Sequence, residues 1–535
     1  MTTDGAMASN DDEPSEDVTS PHQPSPGSVS GLPSRFGLNV SMSFVSTVIA
    51  GVCSVVVTPL LLHHLGELAY GVWALALSLA GYLEILEFGF VSACTRLMAQ
   101  DARKRPEEVS KTLSTSLVVL SVFGLISLAV GFGIAFGAPS WFHLAPSLRP
   151  IATTVIIVMA IGIAISVPGD TFGGGLAAYQ RYDLRSLSDI LLVVASTGAI
   201  FALIEVGRGL EAIALAGTII SVVLHPIRWA MLRSVDSAIH IGRRFVSRSR
   251  VATLAKMSNW FLLAGMASLI SYSADLIILG AVLNVKLVAL YAIGGALGGI
   301  AQRALAPPAA VLLPEAAALS KDGTKSELAT LLVNGTRTTV LLGIPVSLVM
   351  GILAVGAVRA WVGPGYDQAA NVLALFSVYT GLRTVISPLE SILIGSGRVR
   401  PWAVSMAIQG VVNVGVTLAL VWTLGLVGPA LGTVVATTLI LGPTFAVYGC
   451  RVAEISVFSY LRQVVGPHLL PSAVMSTALV LARHLAERGR FQFCVTAVVS
   501  VLLYGLIYYL WCATPNERAQ LRRMAGRLPL RKQVS

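Results

Sequence analysis

Charge is scarce in this 535-residue chain: 12% of its residues are charged and 55% are apolar. A soluble domain carries about a quarter charged residues, so a water-soluble globular fold is excluded. The five cysteines, Cys53, Cys94, Cys450, Cys494 and Cys512, lie in or at the ends of apolar runs without paired ligand spacing. That pattern excludes a disulfide framework or a zinc knuckle and leaves packing as their role. No glycine-rich loop followed by Lys and Ser or Thr is present to cradle ATP phosphates, and no HExxH or CxxC pattern offers a metal. Residues 1–34 have almost no large apolar side chains and lack both the basic start and the small-residue cleavage site of a signal peptide. They read as a disordered cytoplasmic tail.

What the chain does contain is a succession of apolar runs near the roughly 20 residues needed to cross a bilayer. They fall near 38–62, 70–95, 113–137, 151–177, 187–205, 211–231, 259–283, 287–318, 337–358, 371–394, 402–423, 427–449, 465–486 and 493–512. The expectation is an all-α polytopic membrane protein with about 14 transmembrane helices. The formal charge of +10 would suggest nucleic acid in a soluble chain. Here Arg and Lys gather in alternate short loops, such as Arg103, Lys104, Arg105 and Lys111, or Arg243, Arg244, Arg248 and Arg250. The opposite loops hold little beyond Arg149, Arg208, Lys286 and Arg359, with Arg488 and Arg490 before the last helix. This is the positive-inside pattern: it removes nucleic acid as a partner, places both termini in the cytoplasm, and makes anionic lipid headgroups a partner of the basic tail.

An internal repeat of about 220 residues relates the two halves. Asn39 matches Asn259, Tyr70 matches Tyr291, and GLEAIALAGT from Gly209 matches GLVGPALGT from Gly425. The organisation follows: a tail (1–34), an amino-terminal lobe of helices 1–6 (35–231), a basic linker (232–258), a carboxy-terminal lobe of helices 7–12 (259–450), helices 13–14 (451–512) and a basic cytoplasmic tail (513–535). Six helices per unit make two parallel six-helix lobes with a cleft between them.

Ionisable side chains inside these helices are costly and are functional candidates by default. They are Glu84 and Glu87 in helix 2, Asp275 in helix 7, Arg303 in helix 8, and Arg383 and Glu390 in helix 10. Tyr379, Arg383, Ser387 and Glu390 share one helix face, as do Tyr272 and Asp275. Asp170, Asp189, Glu205, Arg228 and Glu315 lie nearer helix ends and read as residues that snorkel to headgroups. Pro307, Pro308 and Pro314 should bend helix 8.

One stretch resembles a known family. Leu65-Gly66, Tyr70-Gly71, Tyr82-Leu83-Glu84, then Glu87-Phe88-Gly89 where Asp-Leu-Gly is usual, and Arg96 are similar to the second helix of the Wzx-type polysaccharide flippases. These belong to the multidrug/oligosaccharidyl-lipid/polysaccharide exporter superfamily, and the two-lobe plan with two added helices resembles their whole length. The resemblance implies a non-enzymatic transporter of the cell inner membrane. By rocking of two lobes it would move a polyprenyl-diphosphate-linked oligosaccharide from the cytoplasmic to the outer leaflet, for cell-surface polysaccharide biosynthesis. The lipid-linked saccharide, membrane lipids and polysaccharide assembly proteins are the partners it implies. Arg303 and Arg383 would then offer forked donors to the diphosphate. Glu84, Glu87, Asp275 and Glu390 would balance them or carry a coupling H+ or Na+, with Tyr379 in the cavity wall. Alignment of Tyr70 with Tyr291 brings Glu84 to the depth of Arg303, which suggests a pair across the cleft. The alternatives are a lipid II flippase or a drug or metabolite exporter of the same superfamily, and, from another class, a membrane glycosyltransferase or polymerase. Short loops near 63–69, 138–150 and 359–371 speak against the enzyme, and cavity arginines speak against cationic drugs.

Overall fold

The computed structural model describes residues 32–102, 106–515 and 517–518. Most of the expected amino-terminal tail, the loop residues Arg103, Lys104 and Arg105, and most of the basic carboxy-terminal tail lie outside the described residues. Every regular element among the described residues is helical. In order they are α1 (Leu32–Leu83), α2 (Ile85–Phe88), α3 (Phe90–Asp101), α4 (Pro106–Trp141), α5 (Arg149–Ala178) and α6 (Tyr182–Glu205). Next come α7 (Leu210–Val235), α8 (Arg248–Val282), α9 (Val285–Ala310), α10 (Leu312–Asp322), α11 (Lys325–Ile352) and α12 (Ala354–Val362). The last are α13 (Asp367–Gly395), α14 (Val399–Leu424), α15 (Gly428–Ala436), α16 (Gly442–Val452), α17 (Val457–Ala486) and α18 (Arg490–Ile507).

Eleven of the described helical stretches are long and apolar enough to cross a membrane, or twelve if the two bent halves of α8 form one span. Two of the eleven are too long for one crossing of about 20 residues: Ser41–Leu83 has 43 residues and Val399–Val452 has 54. Each is interrupted by a glycine in the left-handed region, Gly66 at φ 84° and Gly425 at φ 56°, where a side chain would be strained. The arms on either side of Gly66 lie together, since Leu61 and Leu62 of the first and Tyr70 of the second are buried in one cluster. Arms on either side of Gly425 pack as well, α14 against α15. Splitting both stretches makes the fold compatible with the fourteen crossings expected.

The helices pack in two groups, with α4 against α5, α5 against α7 and α1 against α6 in the first. In the second, α8 packs on α14, α11 on α13 and α9 on α13, while α17 lies against α11 and α18 against α17. One core, with Leu113, Leu176 and Leu232, fills the first group, and another, with Leu332, Ile392 and Phe445, fills the second. The groups meet where α1 touches α9 and where α3 touches α8. Glycine makes those crossings close: a Cβ on Gly71 would stand 2.3 Å from the Val285 carbonyl oxygen, and one on Gly89 would stand 2.7 Å from that of Ser258. Small residues at such points let backbones approach and gain dispersion contacts that lipid cannot supply.

Two breaks position the charged side chains. The second arm of α1 stops at Leu83, and a single turn, α2, separates it from α3, so the span is discontinuous at Glu84 and Gly89. The freed Leu83 carbonyl accepts from Ser127 Oγ at 2.6 Å, which satisfies it inside the protein. The second break, at Val311, follows Pro307 and Pro308 and separates α9 from α10. Neither proline can donate to the preceding turn, so the regular helix is interrupted there.

The stretch joining α7 to α8 runs along α4. His240 and Gly242 donate backbone N–H groups to Ser110 and Ser114 at 3.0 and 3.2 Å, and Ser247 donates to Thr115 at 3.1 Å. Arg250 then pairs with Asp101 at 2.7 Å and with Glu108. At the same end of the first group, Tyr179 donates to Asp236 at 2.7 Å, and burial together with that carboxylate pushes its phenol above the usual range.

Candidate functional site

A cavity of about 880 Å³ lies between the two groups. Both arms of α1 line it, with Thr58, Tyr70 and Trp73, as do Tyr291 and Arg303 of α9 and Phe376 of α13. Two further pockets share walls with it, one in each lobe.

The pocket on the carboxy-terminal side has a volume of about 240 Å³ and shares Gln302 and Arg303 with the central cavity. Arg383, Thr380, Thr384 and Ser387 of α13 complete it, together with Thr339 of α11. Arg303 and Arg383 therefore come together on one small space although 80 residues of sequence separate them. Arg383 Nη2 donates to Glu390 Oε2 at 2.7 Å, and Trp402 Nε1 donates to the other oxygen of Glu390, also at 2.7 Å. Among the described residues Arg303 forms no ion pair. Tyr379, expected in the wall, is instead buried to 4% exposure and meets Phe376 edge-on with ring centres 6.4 Å apart.

Asp275 lies deeper in the carboxy-terminal lobe, at 1% exposure. Its carboxylate accepts from Tyr291 at 2.6 Å, Thr433 at 3.1 Å and Thr417 at 3.2 Å. Asn413 Oδ1 stands 3.4 Å from Thr433 Oγ1, and its amide nitrogen donates to the Ser271 carbonyl at 3.0 Å. Three donors satisfy the charge, which is the usual condition for keeping a carboxylate inside apolar surroundings. The side chain of Tyr272, expected beside Asp275, lies outside the described residues.

Glu84 and Glu87 belong to the amino-terminal side. Glu84 lines a pocket of about 480 Å³ with Asp170, His225 and Arg228. Glu87 comes within hydrogen-bond reach of Asp170. Arg228 is the centre of this group: Nη1 holds Asp170 at 2.7 Å, Nη2 holds Asp189 at 2.6 Å, and Nε donates to Ser188 at 3.1 Å. The expectation that Asp170, Asp189 and Arg228 snorkel separately to headgroups is corrected: at 7% exposure Arg228 is an interior residue that ties α5, α6 and α7 together. Nor does the structure bring Glu84 to Arg303. Matching depth does not make two helices present the same face, and the break at Glu84 turns its side chain into the amino-terminal lobe.

The family profile described as polysaccharide biosynthesis protein matches residues 36–320, more than half of the chain. The chain belongs to that family. The probable flippase AglR of Haloferax volcanii is 24% identical over 425 residues, a match that covers 76% of this chain and 80% of the relative. Among solved structures, the lipid II flippase MurJ in an inward closed conformation superposes with a TM-score of 0.68 at 14% identity, covering 92% of this chain and 100% of MurJ. An inward-facing multidrug resistance MATE family transporter of the MOP superfamily superposes with a TM-score of 0.62 at 16% identity, covering 78% of this chain and 98% of that one. At these identities the two structures speak for the fold, and they agree with the flippase resemblance carried by residues 58–100.

In this member of the polysaccharide biosynthesis protein family, several residues around the candidate positions are neutral and went unseen in the sequence. Thr417, Thr433 and Asn413 surround Asp275, and Gln302 joins two cavities, yet none differs in type from the ordinary polar residues of a membrane helix. His225 was an available signal, being a histidine set within an apolar run.

Proposed function

We propose that the protein is a flippase for a polyprenyl-diphosphate-linked oligosaccharide, working by alternating access of its two lobes in the inner membrane. The observation that carries this reading is the convergence of Arg303 and Arg383 on one pocket that opens into the 880 Å³ central cavity. A guanidinium is a planar, permanently charged fork matched to phosphate oxygens, and two of them are suited to a diphosphate. The Glu390 bridge holds the Arg383 fork in place, while Arg303 forms no ion pair among the described residues. Such a wall repels cationic drugs, which favours this substrate over the exporter alternative.

The positive-inside pattern supports cytoplasmic termini; outward movement of the saccharide is part of the flippase reading. A reporter active only outside the cytoplasm should light up when fused near Asp367 and stay dark near Arg248; the reverse result would invert the topology.

Asp275 is the residue best placed to take up a coupling H+ or Na+. Its carboxylate, with Thr417, Thr433 and Asn413 oxygens around it, forms a compact oxygen-rich site next to Tyr291, which lines the cavity. Occupation would change the charge at the Asp275–Tyr291 contact and so the packing of α8 on α9, a local change able to bias two arrangements of the lobes.

The test is accumulation of an unflipped lipid-linked oligosaccharide on the cytoplasmic leaflet in cells whose only copy is Arg303→Ala/Arg383→Ala. A normally abundant double variant that exports polysaccharide at the normal rate would remove both arginines from the site.

A further inference from the structure

The amino-terminal pocket has no part in the diphosphate reading, and its chemistry differs from that of the arginine pocket. It is continuous with the central cavity, because Trp73, Leu77 and Leu192 line both. Its volume of about 480 Å³ lies within the range of small-molecule sites. Inside it His225 is more than nine-tenths buried; the Gly169 backbone lies within hydrogen-bond reach of its ring, and no side chain among the described residues is hydrogen-bonded to either ring nitrogen. The ring lies against Gly169, where a Cβ would come within 2.3 Å of it. One backbone bond can engage only one of the two ring nitrogens, so a buried imidazole without a side-chain partner keeps the other for a group that enters.

Charge narrows what enters. An anion would meet the carboxylates of Glu84 and Asp170. Arg228 is itself engaged by Asp170, Asp189 and Ser188, so its charge is already answered. Ser166 and Ser221, with hydroxyl oxygens 3.0 Å apart, add groups that both donate and accept. Trp73 supplies a flat apolar face at the mouth. A neutral ligand rich in hydroxyls with one apolar face satisfies all of these at once.

We infer that this pocket is a sugar subsite: it binds an uncharged monosaccharide unit of the substrate through His225, Ser166, Ser221 and the two carboxylates, with Trp73 under the ring. The inference rests on the flippase reading, since the diphosphate in the arginine pocket would anchor the same molecule across the central cavity. Uronic acids are disfavoured, because Glu84, Glu87 and Asp170 surround the site and the one guanidinium is taken.

The experiment measures binding to the full chain in lipid nanodiscs by tryptophan fluorescence, with three probes: undecaprenyl diphosphate alone, capped with glucose, and capped with glucuronic acid. The glucose-capped lipid should bind about tenfold more tightly than the bare lipid, the preference a few buried hydrogen bonds supply. The glucuronic acid cap should give no gain. His225→Ala should abolish the glucose gain while leaving the bare lipid within about twofold, since no diphosphate contact is lost. Ser166→Ala/Ser221→Ala, a smaller change, should reduce the same gain and serves if His225→Ala does not fold. Equal loss for bare and capped lipid, no loss for either, or a tighter fit of the glucuronic acid cap would overturn the sugar subsite. Arg303→Ala should weaken all three probes alike. If it does not, the diphosphate reading fails, while the ratio of glucose-capped to bare affinity still decides the sugar subsite.

Discussion

Two arginine-centred regions face the same central cavity and are built on opposite plans. In the amino-terminal lobe one guanidinium, Arg228, is held by two carboxylates at 2.7 and 2.6 Å and reaches three helices. In the carboxy-terminal lobe two guanidiniums, Arg303 and Arg383, share one pocket, and Glu390 pairs with Arg383. The first arrangement spends its charge on holding α5, α6 and α7 together. The second sets both guanidiniums on a pocket wall, with Arg303 also lining the central cavity. A charge inside a membrane protein therefore indicates a ligand site only after its partners have been counted.

Stability separates the two regions most strongly. Arg228→Met leaves Asp170 and Asp189 without their cation and should lower stability by about 1–2 kcal/mol, less than the cost of breaking a fully buried pair because both carboxylates are more than a third exposed. Thermal unfolding in detergent measures it, and restoring Asp170→Leu and Asp189→Leu in the same chain should recover much of the loss. Arg303→Met, which breaks no ion pair among the described residues, should change stability far less while impairing transport. Similar stability losses for the two would erase the contrast.

Next comes Asp275→Asn, which preserves the shape of the hydrogen-bonded cluster and removes its charge. Transport driven by a sodium or proton gradient should fall about tenfold, within the usual range of coupling energies, and become indifferent to the gradient. Initial rates with and without each gradient supply the comparison. Retained gradient dependence would mean that coupling lies elsewhere, with the amino-terminal acids the next to examine.

The smallest effect is expected at Glu84. It makes no ion pair among the described residues, so Glu84→Gln should alter stability by no more than about 0.5 kcal/mol. The exchange Glu84→Arg with Arg303→Glu should transport no better than Arg303→Glu alone, because the two side chains line different pockets. Rescue by the exchange would place them in contact during the transport cycle and would join the two regions this comparison separates.

Much of the architecture was open to inspection in the chain itself. Hydropathy marks the helices because a bilayer admits only long apolar stretches. Gly66 and the Pro307-Pro308 pair act through backbone geometry, which neighbouring residues cannot override, so the turn and the break fall where the sequence places them. The same local logic identified Arg303 and Arg383 as costly interior charges.

Which charges meet was decided by the tertiary structure. Arg228, Asp170 and Asp189 come from three helices, and each alone sits close enough to a helix end to be satisfied by lipid headgroups. Their union depends on the rotation of α5, α6 and α7 about their axes, and that rotation is set by packing across whole helix faces. Glu84 makes the same point in reverse: its depth follows from counting residues, but its direction follows from the break at Leu83 and from Ser127, a hydrogen-bond partner 44 residues away. A membrane helix declares its length and depth through the solvent around it, whereas the face it turns to its neighbours is a property of the assembled bundle.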